Sequence, residues 1–158
     1  MDERIEKLKN IQTGLLIDVV KNHKKHGYPL ELREAAIETL KDRGITSEEL
    51  ELSGNLYNLQ YEEAMTEYRK FNINSTLGFI LYILAVLTAF GRSGISIIIY
   101  LAAMLFIGLA FNNSKRIAQI TKDDLPDYYI VLLPSFFFYF IMFFITRKQV
   151  KERIDLMT

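Results

Sequence analysis

The chain lacks cysteine altogether. That excludes a disulfide framework, a thiolate nucleophile and a cysteine-bound metal, and it is compatible with a reducing compartment. It also lacks net charge, with 19 Lys and Arg against 19 Asp and Glu. The zero is a cancellation between unlike parts. Residues 1–70 hold 11 basic and 14 acidic residues, a net −3, and residues 71–158 hold 8 and 5, a net +3. A net negative charge on the charge-rich part leaves no basic stripe of the kind that displaces counterions from nucleic acid, so no nucleic-acid partner is expected. The N-terminal MDERIEKLKN carries charges of both signs and no apolar core. It does not read as a secretory signal peptide, so the charge-rich part is expected to be cytosolic. There is no Gly-rich phosphate loop, nucleophile motif or paired-carboxylate constellation. The expected class is non-enzymatic, without a cofactor.

Charge is missing most conspicuously from three runs. Phe71–Gly91 has 21 positions without a charged residue, Ser93–Ser114 has 22 and Tyr128–Thr146 has 19. Crossing the hydrocarbon of a bilayer takes roughly 20 mostly apolar helical residues. The expected fold is therefore all-α: a small cytosolic helical domain over residues 1–70, then a three-helix transmembrane bundle over 71–146, then a basic tail over 147–158. The membrane helices are expected at about 73–91, 94–111 and 128–146. GRSG would make a tight hairpin between the first two, and Pro134 would kink the third or mark it as re-entrant. FNINST, residues 71–76, either caps a new helix or lies within one helix that continues into the bilayer.

The N-terminal part reads as helices with marked ends. Ile5, Leu8, Ile11, Leu15, Leu16, Val19 and Val20 recur at helical spacing, predicting one helix over about 2–25. YPLELREAAIETLKDRGIT predicts a second, with Pro29 in its first turn, acidic residues early, basic residues late and Gly44 as the left-handed closing residue. Ile45 would fold back as the apolar contact of that cap. Thr46 and Glu49 have capping-box spacing, so a short third helix starts there and ends near Gly54. A fourth is expected over Leu56–Lys70. The narrow apolar face Leu30, Ala36, Ile37 and Leu40 has to be covered by a neighbouring helix or by another protein, which makes it the candidate interaction face.

Orientation is evenly balanced if all three runs cross. The inner side would hold Arg69, Lys70, Lys115, Arg116 and Lys122, and the outer side Arg92, Arg147, Lys148, Lys151 and Arg153. Five against five gives the positive-inside rule nothing to act on. The N-terminus is placed inside because no signal exports it, which locates the protein in the cell inner membrane.

Two groups of residues have ligand-like spacing. Asp123, Asp124 and Asp127 form DDLPD, the spacing with which clustered carboxylates hold Mg²⁺ and a diphosphate. Asp124 as a helix cap before Leu125 and Pro126, with Asp127 in the first turn, explains the same residues more simply. His23 and His26 could share one helix face, but no third ligand stands out, and a solvated helix C-terminus accounts for them. The membrane runs contain no ionisable side chain at depth, which argues against a proton relay or ion-coupled transporter. Gly78, Ala85, Ala89, Ala103 and Gly108 are small residues that allow close helix approach, within one chain or between chains.

The pattern Tyr28, Glu31, Ala35, Ala36, Leu40, Arg43 and Gly44 resembles a short helical module that precedes membrane segments in bacterial proteins of unknown role. The resemblance covers under a fifth of the chain and implies a bacterial source and no activity. The expected function is an interaction or regulatory protein. Its cytosolic domain would bind a protein partner while its membrane helices anchor it in the lipid bilayer or self-associate. An oligomeric pore-forming or membrane-perturbing effector is the first alternative, and a lipid-modifying enzyme using the three aspartates is the second.

Overall fold

The computed structural model describes residues 3–90, 94–122 and 128–157, the side chains of 3–5 and 128–137 excepted. The described residues form seven helices: α1 Glu3–Leu8, α2 Thr13–Asn22, α3 Leu30–Asp42, α4 Ser47–Leu52, α5 Leu59–Ala89, α6 Ile95–Thr121 and α7 Tyr128–Leu156. They divide into two compact units, Met1–Tyr61 and Glu62–Met157.

The first unit closes around Leu8, Leu16, Val20, Leu32, Ala36, Leu40, Leu50 and Leu56. The helix expected over 2–25 is two helices. Asn10 and Ile11 donate to the carbonyls of Lys7 and Leu8, which tightens and ends α1. Arg43 then clamps the break, donating to the Lys9 carbonyl at 2.8 Å and to Thr13 Oγ1 at 3.1 Å. Local periodicity favours one helix, but a long-range cation takes up a carbonyl that the break has freed.

The ends of α3 and α4 follow local chemistry. Gly44 has φ +88°, its N–H donates to Lys41 and that of Ile45 to Leu40. This is the six-to-one and five-to-two pair of bonds that closes a helix on a left-handed residue. Ile45 folds back onto the core. Thr46 and Glu49 make both bonds of a capping box. Pro29 stands just before the first residue of α3 rather than inside its first turn.

The second unit is a bundle of three long helices. α5 runs unbroken through FNINST. Its buried residues Ala64, Glu67, Phe71, Ser75, Gly78, Tyr82 and Ala85 recur in steps of three and four. Ala103, Ile107, Ala110, Ser114 and Ile117 do so on α6, and Tyr139, Phe143, Thr146, Val150 and Ile154 on α7. Such steps mark the seam of helices crossing at a shallow angle. α6 lies antiparallel to α5, since Asn113 bonds Glu67 and Asn74 while Ile107 meets Gly78.

The third apolar stretch departs from the expectation of a single spanning helix over 128–146. α7 is divided at Phe138, whose backbone (φ −120°, ψ 34°) is not helical. Its second arm runs antiparallel to α5: Tyr139 is near Tyr82, Phe143 stacks on Phe79 at 4.3 Å, and Arg147 reaches Thr76. The arm continues as helix through the expected tail, and Val150 and Ile154 join Ala64, Phe71 and Ile117 in one core. Among the described residues two helices, α5 and α6, are long and apolar enough to cross a membrane, where three were expected. In the most apolar window of each, 22 % of residues are buried inside the bundle. A core helix of a water-soluble protein is mostly buried, and these two windows are mostly not.

Candidate functional site

The polar chemistry of the second unit gathers where the charged ends of the helices meet their apolar runs. Glu67 lies on the α5 seam and is 5 % exposed. Lys70, one turn on, donates to one of its carboxylate oxygens at 2.6 Å. Asn113 of α6 donates to the other at 2.7 Å, and Arg116 stands 3.7 Å away. The Asn113 carbonyl oxygen accepts from Asn74 at 2.9 Å. Burial opposes ionisation of Glu67, but the bonds from Lys70 and Asn113 and the charges of Lys70 and Arg116 outweigh it. Its carboxyl is held below the usual range.

A second set of bonds ties α7 to α5. Arg147 donates to Thr76 Oγ1 at 3.0 Å, with its guanidinium 5.1 Å from the Phe143 ring centroid. The Tyr139 hydroxyl donates to the Ser75 carbonyl at 3.3 Å. Ser75 Oγ itself donates back to the Asn72 carbonyl at 3.2 Å. Asn72 Oδ1 is buried with no hydrogen-bond partner among the described residues. Phe71, Ala110, Phe111, Ser114, Tyr139 and Thr146 enclose a cavity of about 10 Å³, room for one water at most.

This collar ties α5 to α6 and α7 in one register, and its carboxylate is committed to donors. Among the described residues no group of three or more His, Asp or Glu converges as a metal site.

The residues singled out in the sequence fall in several places. Asp123, Asp124 and Asp127 lie outside the described residues. His23 is buried with Nδ1 3.2 Å from the Val20 carbonyl, whereas His26 pairs with Asp18 at 3.3 Å. Ala36 and Leu40 are fully buried in the first unit's core, Ile37 is partly buried against it and Leu30 is 56 % exposed. Ala85 and Ala103 are buried in the second unit and Ala89 is exposed. Gly78 and Gly108 differ: a Cβ on Gly78 would stand 3.1 Å from Ile107 Cγ1, and one on Gly108 would meet nothing within 4 Å. Sequence reasoning missed Glu67, Asn74, Asn113 and the Arg147–Thr76 bond. Glu67 had a signal, being the carboxylate on the same helical face as Ala64 and Phe71. No protein-family model, curated protein or solved structure matches the chain.

Proposed function

We propose that the protein is a non-enzymatic membrane protein whose second unit sits in the lipid bilayer and whose first unit binds a protein partner in the cytosol. The observation that carries the membrane part is the apolar sleeve of the bundle. Leu77, Ile80, Leu84 and Leu87 of α5 and Ile97, Ile98, Leu101 and Leu105 of α6 are all exposed. In water a patch of that extent would drive aggregation, and in lipid it costs nothing. The three charged helix ends bound the sleeve on one side, as headgroups and water require. Anchoring accounts for this exposed apolar surface without any chemistry.

The partner-binding part is supported by the first unit having a core of its own, and by Leu15 and Leu30 being 57 % and 56 % exposed. The short helical module that it resembles favours a bacterial inner membrane. The bundle is thin, which favours self-association through the same sleeve.

The test takes the full chain from cells. It is expected to stay with membranes through alkaline carbonate, to have a low-order mass in detergent and to pass no ions in liposomes. Release by carbonate would overturn the membrane part. A high-order ring that conducts ions would replace anchoring with a pore. Photo-crosslinkers at Leu15 and Leu30 are expected to trap a protein in cells, and silence at both would overturn the partner part.

A further inference from the structure

We infer that the third apolar stretch is re-entrant: it enters and leaves the bilayer by one face, so that the chain crosses twice and carries both ends on the same side. The inference rests on the membrane reading of the second unit and goes beyond it.

Three observations carry it. First, α5 and α6 are antiparallel, so Lys122 comes back to the end of the bundle where Glu62 begins. Second, the second arm of α7 is also antiparallel to α5. It starts at Tyr139 in the core shared by Tyr82, Ala103 and Ile107, and it ends at Ile154 beside Ala64 and Ile117. Residue 156 therefore finishes at the same end as Lys122. Third, the lengths agree. Tyr82 stands eleven residues beyond Phe71, where the charge-free run of α5 begins, about 16 Å along the helix. The first arm of α7, residues 128–137, adds about 15 Å of helix before the break at Phe138. Such an arm matches the distance from Phe71 to Tyr82 and turns back at that level, short of the far end of α5.

The charge pattern then decides orientation. With both arms of α7 on one face, nine Lys and Arg in 69–70, 115–122 and 147–153 lie on that side, and Arg92 alone lies on the other. Nine against one is a strong positive-inside signal, where three straight crossings gave five against five. The face that carries the chain ends is the cytosolic one.

The absence of cysteine makes the test direct, because each single-cysteine variant is read without background. Leu52 and Leu156 are 89 % and 86 % exposed, and Gly94 at the hairpin has open space around it. In intact cells a membrane-impermeant maleimide is expected to label Gly94→Cys and to miss Leu52→Cys and Leu156→Cys until the membrane is opened. Lys148→Cys, at a side chain 79 % exposed, repeats the C-terminal measurement at a second position. If Leu156→Cys and Lys148→Cys label together with Gly94→Cys while Leu52→Cys stays protected, the stretch crosses and the re-entrant topology is wrong. If all of them label without opening the membrane and carbonate releases the protein, the membrane reading itself has failed.

Discussion

Gly78 and Gly108 offer the sharpest test of how α5 meets α6. Both are small residues in membrane runs, and composition alone treats them alike. A Cβ on Gly78 would lie 3.1 Å from Ile107 Cγ1 and 3.3 Å from the Ile107 backbone nitrogen. Ordinary carbon contacts sit at about 3.5–4.0 Å, so an alanine needs a few tenths of an ångström that a backbone atom yields only if the whole helix moves. The helix propensity gained over glycine, about 1 kcal/mol, offsets much of that, and Gly78→Ala is expected to be close to neutral. Gly78→Leu adds three more carbons where there is no room. Overpacking of that kind costs about 1–3 kcal/mol. If α6 shifts by about 1 Å to admit the side chain, the 2.9 Å Asn74–Asn113 bond is stretched beyond bonding distance. A lost bond adds roughly 1 kcal/mol. The expected total for Gly78→Leu is therefore about 2–4 kcal/mol of destabilisation. Gly108→Ala meets nothing within 4 Å and is expected to be neutral or stabilising by up to about 1 kcal/mol. Unfolding of the full chain in mixed micelles with rising dodecyl sulfate, followed by circular dichroism, measures both. A Gly78→Leu variant as stable as the parent, or a Gly108→Ala variant that loses as much, would refute the close approach at Gly78.

Three further outcomes are expected. The folded-state carboxyl of Glu67 is held below its ordinary value near 4.5, so its ionised form favours the fold. That contribution is complete above the unfolded value and is lost as pH falls through the depressed folded one. An unfolding series through the acid range should therefore show a loss in the parent that Glu67→Gln lacks, and parallel curves would contradict the network. Leu16 is fully buried in the first unit, and Leu16→Ala is expected to cost about 2–5 kcal/mol, much of the stability of a unit this small. Hydrogen exchange should report the loss in residues 13–56 and leave α6 protected. Gly44→Ala forces a side chain into φ +88° at about 1–2 kcal/mol, whereas Gly14→Ala, with open space around it inside α2, should stabilise. Thermal melting that ranks these two the other way would be inconsistent with the cap.

What could be read from the sequence was whatever is decided within one turn of helix. Gly44 with Ile45, and Thr46 with Glu49, specify their caps because both partners lie within five residues. The break between α1 and α2 was hidden because its clamp, Arg43, is thirty or more residues away. The membrane runs were visible through missing charge, but the seam inside them was not. Where nearly every residue is apolar, hydrophobic periodicity carries no signal, and the buried face is written in Ser75, Gly78, Ala85, Ala103 and Ala110 instead. Pro134 pointed to the right helix without locating its break. Its missing N–H frees the carbonyl of residue 130, and the non-helical residue is Phe138.

In the proposed bilayer the collar also changes how long the spanning helices are. Counting charge-free positions gave 21 and 22, but Asn72, Asn74, Ser75, Asn113 and Ser114 belong to the polar collar or its edge. From Leu77 to Ala89, α5 offers 13 apolar-run residues, about 20 Å, and from Ile95 to Phe111, α6 offers 17, about 26 Å. Both fall short of a hydrocarbon layer of roughly 30 Å. Sliding the bundle deeper would draw Glu67 toward lipid, and a charge at depth costs at least about 2.5–3.5 kcal/mol. Sliding it outward would bring the apolar hairpin end, with Phe90 84 % exposed, into water. In the proposed bilayer neither movement helps, and local thinning of the bilayer together with long Lys and Arg side chains reaching back to the headgroups would meet the mismatch. On this account the collar fixes depth as well as register.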